Sequence, residues 1–402
     1  MFYPRRIYPE LLEHLQKPEV TAITGMRRTG KTVLLNRLFS EIKTTNKLLI
    51  DLESRVNREL FTISDYDDIW RELQRKYVLR EDQKVYIFLD EIQYLPTLTS
   101  VIKYFYDHYQ VKFIVTGSSS FYLKDLFSES LAGRKRIFEL FPLTFDEFLV
   151  FKGKLPQPDT SIFDLLKIKK SEAEQKLYGL YFQEYLRFGA FPQVVLENNL
   201  ETKTVLLKDI LYSYIDTDVK NLSRFKRITD MEKLILLLSG RIGQKLDISK
   251  ISREIPLARR TVMEYLGFLE KTYCIFLVHQ YSGSSDRQLS KAPKLYFCDT
   301  GLANILSQIS SGQILENAIF HALRVKYESI HAFSRINYYQ RRSGAEIDFI
   351  LDNQIALEVK ERGNDYDLKR LRDFAQKIGI RQYRLISQNQ TTADYTIYAS
   401  QL

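Results

Sequence analysis

Val20-Thr21-Ala22-Ile23-Thr24-Gly25-Met26-Arg27-Arg28-Thr29-Gly30-Lys31-Thr32 is the stretch on which the fold turns. A short apolar, β-branched run leads into a loop bounded by glycines, and 32–42 then reads as an amphipathic helix. A phosphate chain needs backbone N–H groups converging at close range. Glycines permit that approach, and the following helix adds its positive end. In this pattern Lys31 reaches the β and γ phosphates and the Thr32 hydroxyl is a magnesium ligand. The residues expected to contact ATP are Gly25, Arg28, Thr29, Gly30, Lys31, Thr32 and Val33.

Outward from the loop, further short buried-type strands are expected at 47–51, 85–89 and 111–116, with helical patterns between them. That alternation specifies a parallel, three-layer α/β sheet ending near Pro142. The run Val85-Tyr86-Ile87-Phe88-Leu89 ends in Asp90-Glu91. Acids often mark the exit of a strand into solvent. Downstream of a phosphate loop, however, Asp90 can bind Mg2+ and Glu91 can polarise the attacking water. The next strand ends in Thr116-Gly117-Ser118-Ser119-Ser120, at the sheet edge where ligands of open α/β sheets bind. Ser118 could sense the γ phosphate there, or simply belong to a serine-rich turn. Arg134, in Leu131-Ala132-Gly133-Arg134-Lys135-Arg136, reads either as an arginine finger, within the chain or toward a neighbouring subunit of a homo-oligomer, or as a solvated basic turn.

A chain of 402 residues is long enough for several modules. With 45% apolar and 27% charged residues it has the composition of globular protein. No run approaches the roughly 18 apolar residues of a membrane span, and the N-terminus lacks an apolar signal core, so a cytoplasmic location is expected. The two cysteines, Cys274 and Cys298, are too few for a disulfide framework or a zinc cluster and read as packed thiols. A net charge of +9 is compatible with a polyanionic partner without requiring one.

Four modules are expected: a P-loop core at 1–165, a helical lid at 166–227, a winged helix-turn-helix at 228–285 and a second α/β module at 286–402. In the third, Arg259 and Arg260 open a helix where a recognition helix would meet double-stranded DNA, although such modules also serve purely for packing. Ser282-Gly283-Ser284-Ser285-Asp286 reads as linker or wing tip. In the last module, Glu346 and Asp348 share one strand face, and Glu358 and Lys360 share another beyond a tight turn through Asp352-Asn353. Asp348 and Glu358 could hold Mg2+, with Lys360 orienting water and Glu316 reaching in from a helix. The bland alternative is a salt-bridged solvent face of a hairpin.

These motifs carry a resemblance. Gly25 to Thr32, Leu89-Asp90-Glu91-Ile92-Gln93, the Thr116 to Ser120 segment and Leu131-Ala132-Gly133-Arg134 occur in the order of prokaryotic AAA+ ATPases bearing a C-terminal domain related to restriction endonucleases. Phe141 to Phe148 and Lys294-Leu295-Tyr296-Phe297-Cys298-Asp299-Thr300-Gly301-Leu302 are also similar to segments of that family. The resemblance implies an AAA+ core, a lid, a winged-helix segment and a PD-(D/E)XK-type fold onto which Glu316, Asp348, Glu358 and Lys360 map. It implies an ATPase coupled to a DNA-directed, Mg2+-dependent nuclease-like module. The rival is an ATP-driven switch whose C-terminal domain only docks a protein or nucleic acid.

Overall fold

The computed structural model describes residues 2–118, 133–159, 164–220, 227–282, 291–328, 335–341 and 344–402. Ser119, Ser120, Leu131, Ala132, positions 283–286 of the linker and Ser343 lie outside them. The backbone divides into two compact units, Met1–Phe141 together with Lys271–Tyr273, and the remainder. Residues 142–165 therefore group with the second unit rather than with the P-loop core, and the boundaries expected at 227 and 285 fall inside it.

The first unit runs α1 (Tyr8–His14), β1 (Val20–Thr24), α2 (Lys31–Glu41), β2 (Lys47–Asp51), α3 (Arg55–Glu59), α4 (Tyr66–Tyr77), β3 (Val85–Asp90), α5 (Leu98–His108), β4 (Val111–Gly117) and β5 (Lys135–Glu139). The strands form one five-stranded sheet in the order β2-β3-β4-β1-β5, and every pairing is parallel. Strand alternation sorts the apolar residues onto two faces. Ile23, Phe88 and Ile114 pack with Leu11 of α1 and Leu34, Leu35 and Leu38 of α2. Ala22, Ile87, Leu89 and Val115 pack on the other face with Ile69 and Trp70 of α4 and Ile102 and Phe105 of α5. Covering on both faces is why β1 and β4 are buried at every position and are mostly apolar, with Thr21, Thr24, Lys112 and Thr116 as their buried polar members.

The second unit opens with α6 (Phe145–Phe151), α7 (Glu172–Phe188), α8 (Pro192–Leu196) and α9 (Leu200–Ser213). Next come α10 (Ile228–Ser239), α11 (Ile248–Glu254) and α12 (Arg259–Lys271), followed by β6 (Ile275–Val278) and β7 (Lys294–Phe297), which pair antiparallel. After α13 (Thr300–Leu306) and α14 (Ser311–Leu323) the chain builds β8 (Ile336–Gln340), β9 (Glu346–Leu351), β10 (Ile355–Lys360), α15 (Asp365–Lys377), β11 (Gln382–Ser387) and β12 (Thr396–Tyr398). This sheet is mixed. β8, β9 and β10 meander antiparallel, while β10, β11 and β12 are parallel, in the order β12-β11-β10-β9-β8. The three-residue β9–β10 connection sets Asp352 and Asn353 at φ 46° and 61°, a left-handed pair that lets the Gln354 N–H donate back to the Leu351 carbonyl at 2.8 Å.

The break expected in the helical stretch falls at Gly189, which ends α7 at φ 70°. It belongs to a buried latch. Asp299, the cap of α13, accepts from Leu302 N–H at 2.9 Å and from Ala190 N–H at 2.6 Å. Burial pushes its carboxyl up to about 6 against the pull of those amides. A Cβ on Gly189 would lie 2.0 Å from Asp299 Oδ1, and one on Gly301 2.1 Å from the Phe188 carbonyl. Cys274 and Cys298 are buried and form no disulfide, in keeping with packed thiols, and burial pushes Cys274 up to about 12. No helix among the described residues is long and apolar enough to cross a membrane.

Candidate functional site

The phosphate loop leaves the carboxyl end of β1 with Gly25 at φ 154° and enters α2 through Gly30 at φ 101°. A Cβ on Gly25 would stand 2.0 Å from the Leu140 carbonyl oxygen, so only glycine fits there. Gly30, the N-cap of α2, has no side chain to cap the helix, and the amino end of such a helix attracts anions. Thr29 donates to the Met26 carbonyl at 2.9 Å, holding the turn closed. Lys31 is buried and donates to the carbonyls of Gly25 at 2.9 Å and Met26 at 3.0 Å, so its ammonium is folded over the loop it is expected to serve. Thr32 and Val33 are exposed beside it.

Asp90 closes β3, next to the loop. Its buried carboxylate accepts from the hydroxyls of Thr116 and Thr32. Burial raises its pKa, and the two hydroxyl bonds act against that rise. Thr32 and Asp90 thus present hard oxygen donors to one point, a donor set suited to Mg2+. Glu91 sits at φ 54°, a left-handed conformation rare for a non-glycine residue, with its amide donating to Thr116 Oγ1 at 3.0 Å. Gln93 Nε2 donates to the Glu91 carboxylate, and Gln93 Oε1 accepts from Ser118 N–H at 3.3 Å. Gln93 therefore links the expected base to the expected sensor. Its bridging position was not readable from the sequence, because the short helical turn at Ile92–Tyr94 that aims it has no distinct signature.

Arg134 does not join this group within the chain. Its carbonyl accepts from Val20 N–H, at the amino end of β1, while the phosphate loop leaves the carboxyl end, about 13 Å along the strand. The guanidinium pairs instead with Asp107 at 3.1 Å.

In the second unit, β7, α14, β9 and β10 bring together four acids and two lysines. Lys294 Nζ lies 3.1 Å from Glu316, 3.5 Å from Glu346 and 3.9 Å from Asp348. Tyr296 donates to Glu316 at 2.6 Å, and Val359 N–H donates to Asp348 at 2.8 Å. Lys360 pairs with Glu358 at 2.8 Å, and Arg370 of α15 pairs with the same carboxylate. Burial pushes Glu316 and Glu358 each up to about 7, reinforced by the Asp348 charge. For Lys294 burial works to lower the pKa, but Glu316, Asp348 and Glu346 outweigh it and raise it.

The face-sharing of Glu346 with Asp348 and of Glu358 with Lys360 holds, but a solvent-exposed hairpin face does not: Asp348 and Glu358 are 6% and 2% exposed. Among the described residues no three acidic, histidine or cysteine side chains are grouped to hold a metal ion. The ammonium of Lys294 stands among the carboxylates instead. A lysine in an otherwise apolar strand, Lys294-Leu295-Tyr296-Phe297, was the available signal.

The parallel five-stranded sheet with its phosphate loop has the α/β fold of a P-loop AAA domain, and residues 17–149 match the family model described as an AAA domain. Residues 180–313 and 311–401 match two domains of unknown function, DUF8612 and DUF4143. Among curated proteins, the chain is 25% identical to an uncharacterized protein of Haemophilus influenzae, covering 92% of this chain and 91% of that one. It is 27% identical to an uncharacterized protein of Methanocaldococcus jannaschii, covering 87% and 77%. Similar solved structures include Aeropyrum pernix ORC1 protein in complex with DNA, with TM-score 0.33, 16% identity and coverage of 76% and 93%. Thermotoga maritima RuvB, a Holliday junction branch migration motor, has TM-score 0.34, 17% identity and coverage of 68% and 90%.

Proposed function

We propose that this chain hydrolyses ATP and uses the nucleotide state as a switch for its second unit. The observation that carries the reading is the link from Glu91 through Gln93 to Ser118, beside the Thr32–Asp90 pair. Mg2+ held by Thr32 and Asp90 would neutralise charge on the β and γ phosphates. Lys31 exchanges the Gly25 and Met26 carbonyls for phosphate oxygens. Glu91 accepts the proton of the attacking water as its oxygen bonds to the γ phosphorus and the bond to ADP breaks. Gln93 aims Glu91 and ties it to the strand end that faces the γ phosphate. Arg134, at the far edge of the sheet, could supply charge only to a neighbouring subunit. The test is phosphate release from Mg-ATP by the wild-type chain and by Lys31→Ala and Glu91→Gln. Turnover unchanged in either variant would end this reading.

For the second unit, the order α14-β8-β9-β10-α15-β11 supports a restriction-endonuclease-like fold, and α10–α12 followed by the β6–β7 pair supports a winged helix, with Arg259 and Arg260 exposed at the start of α12. The Lys294 ion pairs favour docking of DNA or another partner over Mg2+-dependent cleavage, because an ammonium already balances the acids. Supercoiled DNA incubated with Mg2+ or Mn2+, with and without ATP, should stay intact. Cutting that disappears in Lys360→Ala would establish the nuclease instead.

A further inference from the structure

Arg5 precedes the first helix and has no part in any nucleotide motif, yet it is 5% exposed. Burying a guanidinium is costly unless its donors are satisfied. Here they are used on two main-chain carbonyls far apart in sequence. One terminal nitrogen donates to the Thr29 carbonyl at 2.9 Å and the other to the Phe141 carbonyl at 2.8 Å. Thr29 is the last residue of the phosphate loop before Gly30, and Phe141 is the last residue of the first unit before the chain enters the second. The first of these nitrogens is also the nearest atom, at 4.0 Å, to where a Gly30 Cβ would stand.

The same strip of chain touches the loop twice more. Leu140 N–H donates to the Thr24 carbonyl at 2.6 Å, and the Leu140 carbonyl occupies the space that makes Gly25 obligatory. Phe141 is met by Tyr273, of the returning segment Lys271–Tyr273, with ring centroids 5.8 Å apart and an interplanar angle of 85°. Tyr273 also donates to Glu139 of β5 at 3.0 Å. Within the first unit, the loop, the exit of the chain and its return thus form one bonded patch, and Arg5 is a side-chain bridge between loop and exit.

We propose that Arg5 is a positioning residue for ATP: its two-pronged guanidinium holds the Thr29–Gly30 end of the phosphate loop in register with the Phe141 exit, so that nucleotide binding and the state of the exit are linked. The inference rests on the ATP reading of the loop, and the experiment separates the two. A planar fork can serve both carbonyls at once, whereas a lysine ammonium preserves charge and stem but not the fork.

Binding of a fluorescent ATP analogue and the thermal shift caused by Mg-ATP are measured for wild type, Lys31→Ala, Arg5→Lys and Arg5→Gln. Failure of the wild type to bind would remove the ATP reading itself. With wild-type binding present, Arg5→Lys and Arg5→Gln should each weaken affinity about tenfold or more and lose most of the ATP-induced shift. A merely structural role would lower the nucleotide-free melting temperature while leaving that shift and the affinity within twofold of wild type, and this would overturn the proposal. Hydrogen exchange on the wild-type chain needs no variant. Saturating Mg-ATP should slow exchange in peptides covering 3–8 and 140–143 together with 25–32, and protection confined to 25–32 would also overturn it.

Discussion

The ammonium of Lys294 donates to Oε1 of Glu316 across 3.1 Å, joining β7 to α14 through a pair of which the lysine is 2% exposed. Glu346 and Asp348 lie 3.5 Å and 3.9 Å from the same nitrogen, and the Tyr338 ring lies 5.6 Å from it. Removing that cation leaves carboxylates facing one another in a poorly solvated space. Lys294→Met should therefore destabilise the protein by about 3–5 kcal/mol, read from chemical unfolding. Adding Glu316→Gln to it should restore part of the loss, since the repulsion is then smaller. A single substitution within about 0.5 kcal/mol of wild type would show that the cluster is solvated.

The same acids make stability depend on pH. Glu316 and Glu358 are pushed up to about 7 by burial and then by Asp348, so the folded state holds their protons more tightly than the unfolded chain does. Their contribution is full below the ordinary glutamate range and is lost as pH rises through 7. His14 acts oppositely. Burial, with Lys112 and Arg136 adding to it, lowers it to about 4, so its contribution grows as pH rises from there toward its ordinary value. The difference between wild type and Glu358→Gln isolates the carboxylate. The wild type should lose on the order of 3 kcal/mol more than the variant between pH 5 and pH 8 in urea unfolding. Parallel curves would contradict the burial argument.

At the phosphate loop, Gly25→Ala must push its methyl into the Leu140 carbonyl, and it should abolish ATP binding as completely as Lys31→Ala. Glu91→Gln should bind ATP normally while turnover falls by about 100-fold or more. Gln93→Ala leaves the base present but unaimed. Steady-state kinetics should show kcat reduced roughly tenfold with little change in KM. Equal loss in both parameters would mean that Gln93 shapes the binding site rather than the base.

The Asp299 latch predicts a contrast among glycines. Gly189→Ala and Gly301→Ala each drive a methyl into atoms about 2 Å away, and should cost about 2 kcal/mol or more. Gly267→Ala, inside α12 with nothing but its chain neighbours and the helix's own backbone within 4 Å of the new methyl, should instead stabilise by up to about 1 kcal/mol. Thermal unfolding of the three variants tests the set, and an equal effect at all three positions would refute it.

Much of the first unit was legible because its parallel strands leave short, mostly apolar runs, and 47–51 and 20–24 fall at the expected bounds. β5 was not. Lys135-Arg136-Ile137-Phe138-Glu139 is an edge strand paired only with β1, and its charges mask a strand that contributes Phe138 to the core. The loop residues and Asp90-Glu91 could be read from local spacing, since strand and helix ends fix them. Arg5, Gln93 and Lys294 could not, because their roles depend on partners that are distant in sequence or aimed by an irregular turn. The acids of β9 and β10 were legible as a pattern, but the cation among them comes from another strand.

The return of Lys271–Tyr273 to the first unit bears on how such a protein can be cut or recombined. A fragment ending at Phe141 would lack Tyr273, which is 3% exposed and seals one aromatic wall. The nucleotide module is thus stitched by a second, distant thread. A gene fusion that exchanged only its N-terminal portion would deliver an incompletely walled module, and a functional transplant must carry the far segment with it.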